Sequence, residues 1–467
     1  MSIPVTSDPV GVPPESRNVF NGADVNTSRV HCGNSDHDEL VPDNYVNVIV
    51  AVFFDGTLNN RANTQARVNA TNDYIPDVVS HENDESNVSR MEPFYDKIEE
   101  EKLIQVSVYI EGIGTENTEE DYMVGGAAAG VGDTGIYKKI SKGCKEAVDQ
   151  IKAAIGSNKI NRLHVDTYGF SRGAAAARSF VHEITKRERG GIPLYGNTRT
   201  SIIPANGELG KHLAESNIEM RLPLCVRFVG LYDTVASYGY IAHWNDSFQL
   251  GLRAISKAQH TFQLAADDEH RTNFRLTNIN SAGNKGTERF LPGAHSDIGG
   301  GYVDGADEEV IIEQNDLSNI GWFGLEEKRQ KLIDDGWYTE SEIEVNTHWL
   351  ALGSLSSIVG KREDMCNRYS YIPLQIMAEF CEEKKVAVLV DDLKGDYPII
   401  SNLTAVKAVL DEYIKDKNKK VTINSHPQLI KNLRNKYLHY SSNYKNAAVV
   451  FEPNKPTGDH IRVIQNG

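Results

Sequence analysis

A serine becomes a useful nucleophile only when a turn exposes its hydroxyl and a base can take its proton. The candidate in this chain is Ser171, within Gly169-Phe170-Ser171-Arg172-Gly173. Before it, Leu163, Val165 and Thr167 alternate with His164, Asp166 and Tyr168, the pattern of a short buried strand. After it, Ala174 to Ala177 and Arg178 are strong helix formers. Strand, G-x-S-x-G and helix in that order are the context of a nucleophile elbow. Gly169 and Gly173 stand where a side chain would collide with the neighbouring strand and helix. The N–H of Arg172, at the start of the helix, is then a candidate oxyanion donor. The competing reading is a glycine-rich strand-to-helix turn with an incidental serine.

The base must itself be oriented by an acid. In the order Ser, Asp, His, the candidates are Asp233, just after the apolar run Leu224–Leu231, and His295, in the glycine-rich loop Pro292–Gly301. Asp233 could instead cap a turn. His439 is a second candidate base. Asp297 is a rival acid, but two residues from His295 it is poorly placed to reach the ring, and it is expected to order the loop. A second oxyanion donor is expected from the backbone of Gly56 or Thr57, with Asp55 holding that loop. The stretch Phe53-Phe54-Asp55-Gly56-Thr57-Leu58 also invites comparison with phosphatases that use an aspartate nucleophile. The nucleophile position is Phe53 here, which cannot form a phosphoaspartate.

These residues need a scaffold that brings them together. Val46–Phe54, Leu103–Ile110, Arg162–Tyr168 and Leu224–Leu231 read as strands, and Ile136–Ile155 as a helix. Phe290-Leu291 leads into the His295 loop. Alternation of strand, loop and helix predicts a mostly parallel α/β sheet, hydrolase-like, with helices on both faces. The FDGT, EGIGT, GFSRG, YDTV and GAHSDIGGG loops all follow strands, where such sheets place their sites. Val124–Gly135 lacks the G-K-[ST] ending of a phosphate loop and reads as a small-residue loop. The expected organisation is a polar N-terminal arm over 1–44, a catalytic core over 45–302 and a largely helical cap or docking region over 303–467. In the last, Asp304–Asp316 reads as loop. Segments 324–335, 348–359, 372–384, 403–415 and 428–437 have helical spacing. The apolar face of Ile372–Phe380, with Met377 on it, would either pack on the sheet or line a channel for acyl chains.

Composition narrows the partners. The 467 residues carry 49 Lys and Arg against 65 Asp and Glu, a net charge of −16. That excludes the basic footprint of a nucleic-acid partner and disfavours stable docking on anionic lipid. Five scattered cysteines without a C-x-x-C argue against a disulfide framework or a zinc site. No 18-residue apolar run is present, and the N-terminus has neither a basic nor an apolar region of the secretory kind.

FFDGTLNN, EGIGT, GFSRGAAAAR, YDTVASYG, GAHSDIGGGY and YSYIPLQIMAEF, in that order, resemble the α/β-hydrolase-like domain family of the first group of type VI secretion lipase effectors. The resemblance spans roughly Val46 to Phe380. It implies a phospholipase A acting on bacterial membrane phospholipids, with the triad on Ser171, Asp233 and His295. No metal or cofactor is required by that chemistry. The resemblance further implies export without a signal peptide on the needle spike, entry into target cells, and a cognate immunity protein, while the acidic charge leaves a lipid-directed enzyme only transient contact with a membrane surface. A serine hydrolase of soluble esters or peptides, or a non-catalytic protein keeping the fold, are the alternatives.

Overall fold

The computed structural model describes residues 41–122, 132–188, 204–236, 248–315, 322–350, 353–416, 426–444 and 462–467. Residues 1–40 of the expected N-terminal arm and 123–131, where the small-residue loop was expected, lie outside them. The strands are β1 (Tyr45–Phe54), β2 (Ile98–Glu99), β3 (Leu103–Ile110), β4 (Lys159–Phe170), β5 (Cys225–Tyr232), β6 (His260–Ala266), β7 (Leu276–Thr277), β8 (Gly286–Leu291), β9 (Ala306–Asn315), β10 (Ile343–Leu350), β11 (Gly353–Met365) and β12 (Ile464–Gln465). The helices are α1 (Arg61–Val68), α2 (Val79–Glu82), α3 (Asn87–Met91), α4 (Ile136–Ile155), α5 (Arg172–Ile184), α6 (Gly207–Glu215), α7 (His295–Gly299), α8 (Trp322–Asp334), α9 (Tyr371–Glu383), α10 (Val390–Asp396), α11 (Thr404–Lys415) and α12 (Pro427–Tyr437).

The main sheet has the order β2-β3-β1-β4-β5-β6-β8. All its pairings are parallel except β2 with β3. β1 is buried on both faces. Val48, Val50, Val52 and Phe54 face α4, α5 and α6, while Ile49, Ala51 and Phe53 face the core shared with α9. Period-2 alternation of two apolar sets is what a doubly covered strand requires. The chain leaves β1 towards β3 and leaves β4 towards β5, so the sheet reverses its winding between β1 and β4. Ligands bind such sheets in the crevice at this point, beyond the strand C-termini.

Register then aligns the loops. Phe54 lies opposite Gly169, and Phe170 opposite Tyr232. Asp55, Ser171 and Asp233 therefore leave their strands side by side. β6, which its short mixed sequence did not announce, fills the place between β5 and β8. Its buried Gln263 donates to Thr277 O at 3.0 Å and to Glu288 Oε1 at 2.7 Å.

Two expectations for the C-terminal region are overturned. Residues 306–315 of the expected loop form β9, and 348–350 and 353–359 of the expected helical segment belong to the antiparallel pair β10 and β11. In β9 the buried Val310 and Ile312 lie within a run flanked by Asp307, Glu308, Glu309 and Glu313, and Glu308 lies opposite Arg362 of β11 and pairs with it at 2.6 Å. Cross-strand charge pairing makes an acidic strand tolerable, and a net-acidic count hides it. Among the described residues, Cys144, Cys366 and Cys381 are free thiols.

Helix α9 packs as core. Phe380 stacks on Phe262 with centroids 3.9 Å apart, and a Cβ on Gly230 of β5 would stand 3.0 Å from Met377 Sδ. Met377 is fully buried, so it does not line an acyl channel. Met377→Glu would place an unpaired carboxylate in this core and should cost more than about 4 kcal/mol. Circular dichroism melts of the purified variant check this; a cooperative transition near the wild-type Tm would show that α9 yields to solvent.

Candidate active site

The turn from β4 to α5 forces Ser171 into φ 58°, ψ −127°. A non-glycine residue there stores roughly 1–3 kcal/mol of strain. The neighbours hold it in place. Ser171 N–H donates to Tyr232 O at 3.0 Å, and Ser171 O accepts from Val235 N at 3.3 Å. The turn carrying Asp233 is thus clipped to the serine backbone on both sides. Both elbow glycines are sterically required. A Cβ at Gly169 would meet Gly173 O at 2.3 Å, and one at Gly173 would meet Asp55 O at 2.2 Å. The Ser171 hydroxyl forms no capping bond to its own helix.

Asp233, also at positive φ (48°), is fully buried. Its Oδ2 lies 2.5 Å from His295 Nδ1, and its Oδ1 accepts from Ala266 N at 2.8 Å. Arg462 donates through Nη1 to Oδ1 at 2.6 Å and through Nη2 to Oδ2 at 2.7 Å. Burial alone would raise the Asp233 pKa, but Arg462 and His295 hold it down at about 2. An ionised Asp233 fixes the His295 tautomer with its proton on Nδ1, which leaves Nε2 as the acceptor.

His295 is positioned by its surroundings. Its N–H donates to Glu269 Oε2 at 3.2 Å. Its ring lies between Phe170, at 4.6 Å, and Phe274, at 4.9 Å and edge-on. Burial lowers its pKa, against the pull of Asp233, so the neutral base is favoured. Asp233 and His295 are joined directly. Ser171 meets them through its backbone and through the ring of Phe170, the residue before it.

The loop after β1 interlocks with the elbow. A Cβ at Gly56 would stand 2.4 Å from the Phe170 ring. Asp55 is buried, and it accepts from Gly56 N at 2.6 Å, Tyr109 Oη at 2.6 Å and Ser86 Oγ. It thereby occupies the Gly56 N–H, one of the candidate oxyanion donors. Thr57 N–H and Arg172 N–H, the latter at the positive end of the 13-residue α5, are the donors carried forward.

Asp297 does not serve His295. It accepts from Ala294 N at 2.8 Å and pairs with His439 Nδ1 at 2.8 Å, while Tyr302 stacks on the His439 ring at 3.7 Å. His439, the second candidate base, is thereby tied to a different acid. Arg462, Glu269, Arg271 and Phe274 were not singled out from sequence, and no local motif marks them. Among the described residues no group of His, Cys, Asp and Glu could hold a metal ion.

The model of the type VI secretion system (T6SS) phospholipase effector Tle1-like catalytic domain matches residues 48–188 and 204–322. A solved structure of the Tle1 effector bound to the VgrG spike of the type VI secretion system is similar in fold, with TM-score 0.62 and 20% identity over 95% of this chain and 99% of that one. A crystal structure of an uncharacterised protein from Pseudomonas aeruginosa aligns over 82% of this chain and 52% of its own, at 16% identity and TM-score 0.39. No curated protein matches the chain.

Asp55 offers a pH test of this geometry. Burial raises its pKa from 3.8 to about 6, against the hydrogen bonds from Ser86, Tyr109 and Gly56. The folded state therefore keeps this proton to higher pH than the unfolded chain. The associated stabilisation is complete below the unfolded value and is lost as pH rises through the folded one, by roughly 3 kcal/mol at most. Asp55→Asn cannot ionise and should remove that fall. Urea denaturation from about pH 4 to about pH 7 should show the variant losing less stability than wild type; parallel profiles would refute the assignment.

Proposed function

The chain belongs to the T6SS phospholipase effector Tle1-like family, and from that premise we propose that it is a serine esterase of the phospholipase A type. The observation that carries this reading is the Asp233–His295 hydrogen bond beside a strained serine elbow, at the reversal point of a parallel sheet. Ser171 Oγ attacks the acyl carbonyl while His295 Nε2 takes its proton. Asp233 stabilises the imidazolium and keeps its tautomer. The N–H groups of Arg172 and Thr57 receive the developing oxyanion. His295 then protonates the departing lysophospholipid alkoxide, and water, activated by the same histidine, releases the fatty acid from the acyl-serine.

The same reading takes phospholipid as substrate at a transiently touched membrane surface. No helix among the described residues is long and apolar enough to cross a membrane. The reading includes a secretion spike as carrier, in line with the structure of the Tle1 effector bound to VgrG, delivery into target cells, and a cognate immunity protein in the producing cell.

Mass spectrometry of phospholipid vesicles incubated with the protein tests the reaction. Wild type should release fatty acid and lysophospholipid. Ser171→Ala should lose turnover on the order of 10⁴-fold or more while its stability stays within about 1 kcal/mol. Full acyl release by Ser171→Ala would end the nucleophile assignment. Hydrolysis of short soluble esters without any release from vesicles would instead assign a soluble substrate.

Asp233→Asn separates the two candidate acids. It should keep the fold and lose about 10⁴-fold in turnover through the wrong histidine tautomer. An active Asp233→Asn beside an inactive Asp297→Asn would transfer the role to Asp297.

A further inference from the structure

Arg462 reaches Asp233 from a segment far away in sequence, and its placement is built into the sheet. β12 pairs in parallel with β7, with Leu276 N–H donating to Val463 O at 3.0 Å and Asn278 N–H to Gln465 O at 2.9 Å. β7 is itself attached to the Asp233 turn. Thr277 N–H donates to Thr234 O at 2.9 Å, and Val235 bridges Leu276. The chain therefore enters β12 from the side of the carboxylate, and Arg462 stands two residues ahead of that strand. Its side chain is buried, and its guanidinium is almost fully engaged. Nε donates to Phe274 O at 2.5 Å, Nη1 also to Ala266 O at 3.3 Å, and the two Nη groups take one Asp233 oxygen each.

We propose that Arg462 is a positioning residue of the active site, whose fork fixes the plane in which Asp233 accepts the His295 Nδ1–H. The proposal rests on the serine–histidine–aspartate reading above. A bidentate guanidinium defines carboxylate orientation in a way a point charge does not. A tail anchor needs only some carboxylate, whereas this fork shares an oxygen with the histidine. Through Phe274 O it also holds the backbone of the residue whose ring flanks that histidine. Arg462 has an electrostatic consequence as well. Its positive charge offsets Asp233, so the imidazolium gains less from the carboxylate and His295 stays a weaker base. The other charged groups facing the pair are Glu269 and Arg271 around His295, and Glu288 and Arg271 around Asp233.

The test uses the full chain and a short-chain p-nitrophenyl ester, with Arg462→Ala, Arg462→Lys and Asp233→Asn. Arg462→Ala should lose about 10²-fold in kcat, with KM within about threefold, since a misplacement near 1 Å costs about that much. The acid limb of its kcat/KM profile should move to higher pH, because the uncompensated carboxylate raises the basicity of His295. Added guanidinium ion should restore at least part of the Arg462→Ala activity and leave wild type unchanged. Arg462→Lys keeps the charge without the fork, so its acid limb should stay in place while kcat falls. Arg462→Ala with kcat within about threefold of wild type and an unmoved acid limb would overturn the proposal, given that misplacement costs far more. If Arg462→Ala does not fold, a folded Arg462→Lys with wild-type kcat would overturn it equally. An inactive Asp233→Asn beside an active Arg462→Ala sinks only the role of Arg462. A fully active Asp233→Asn sinks the underlying triad and this proposal with it.

Discussion

An aspartate with no exposure to water must either take up a proton or be surrounded by donors, and Asp233 is surrounded. One backbone N–H, one imidazole N–H and both ends of a guanidinium converge on its two oxygens. Each donor comes from a different part of the chain: β6, α7 and the segment before β12. Keeping this one charge in the interior therefore requires the end of β6, the His295 loop and the β7–β12 pairing to be in place together. Leaving such a carboxylate without its partner typically costs about 3–5 kcal/mol.

The same solution recurs through the molecule. Arg227 meets Asp166 beneath α9, Arg271 meets Glu269 beside His295, and Arg362 meets Glu308 across β9 and β11. Planar forks suit carboxylates that cannot be hydrated. Around the His295 loop these contacts form a chain of supports. Arg434 grips Asp268, Asp268 accepts from Gly293 N, Ser441 donates to Glu269, and Glu269 accepts from His295 N. The Asp297–His439 pair adds one more tie between α7 and the segment after α12. Residues far beyond the core strands thus set the position of a loop within it.

Backbone strain is concentrated at the same place. Ser171 and Asp233 both adopt positive φ, and each sits one residue past the end of its strand. Neither conformation is favoured locally. Both persist because register, the interlocked glycines and the hydrogen bonds between the two turns leave no alternative.

The order of strand, elbow and helix was legible in the chain because it depends on local physics. β-branched runs form buried strands, alanines form α5, and glycine is demanded wherever Cβ would strike a neighbour. The candidate triad was legible for a related reason: in a parallel sheet, residues that end strands end up side by side. β6 and the β9–β11 sheet were hidden because their apolar positions, Phe262, Leu264 and Ala266 in one and Val310 and Ile312 in the other, are few and stand among polar residues whose partners, Glu288 for Gln263 and Arg362 for Glu308, lie elsewhere in the chain. Arg462 was hidden more deeply. Nothing near it in sequence marks an arginine that meets an aspartate 229 positions away. The Gly56 N–H looked available as an oxyanion donor until the fold showed it bonded to Asp55. Sequence determines which groups are present and which turns can form. Only tertiary packing decides which hydrogen bond each donor makes, because that choice is settled by groups brought together from all along the chain.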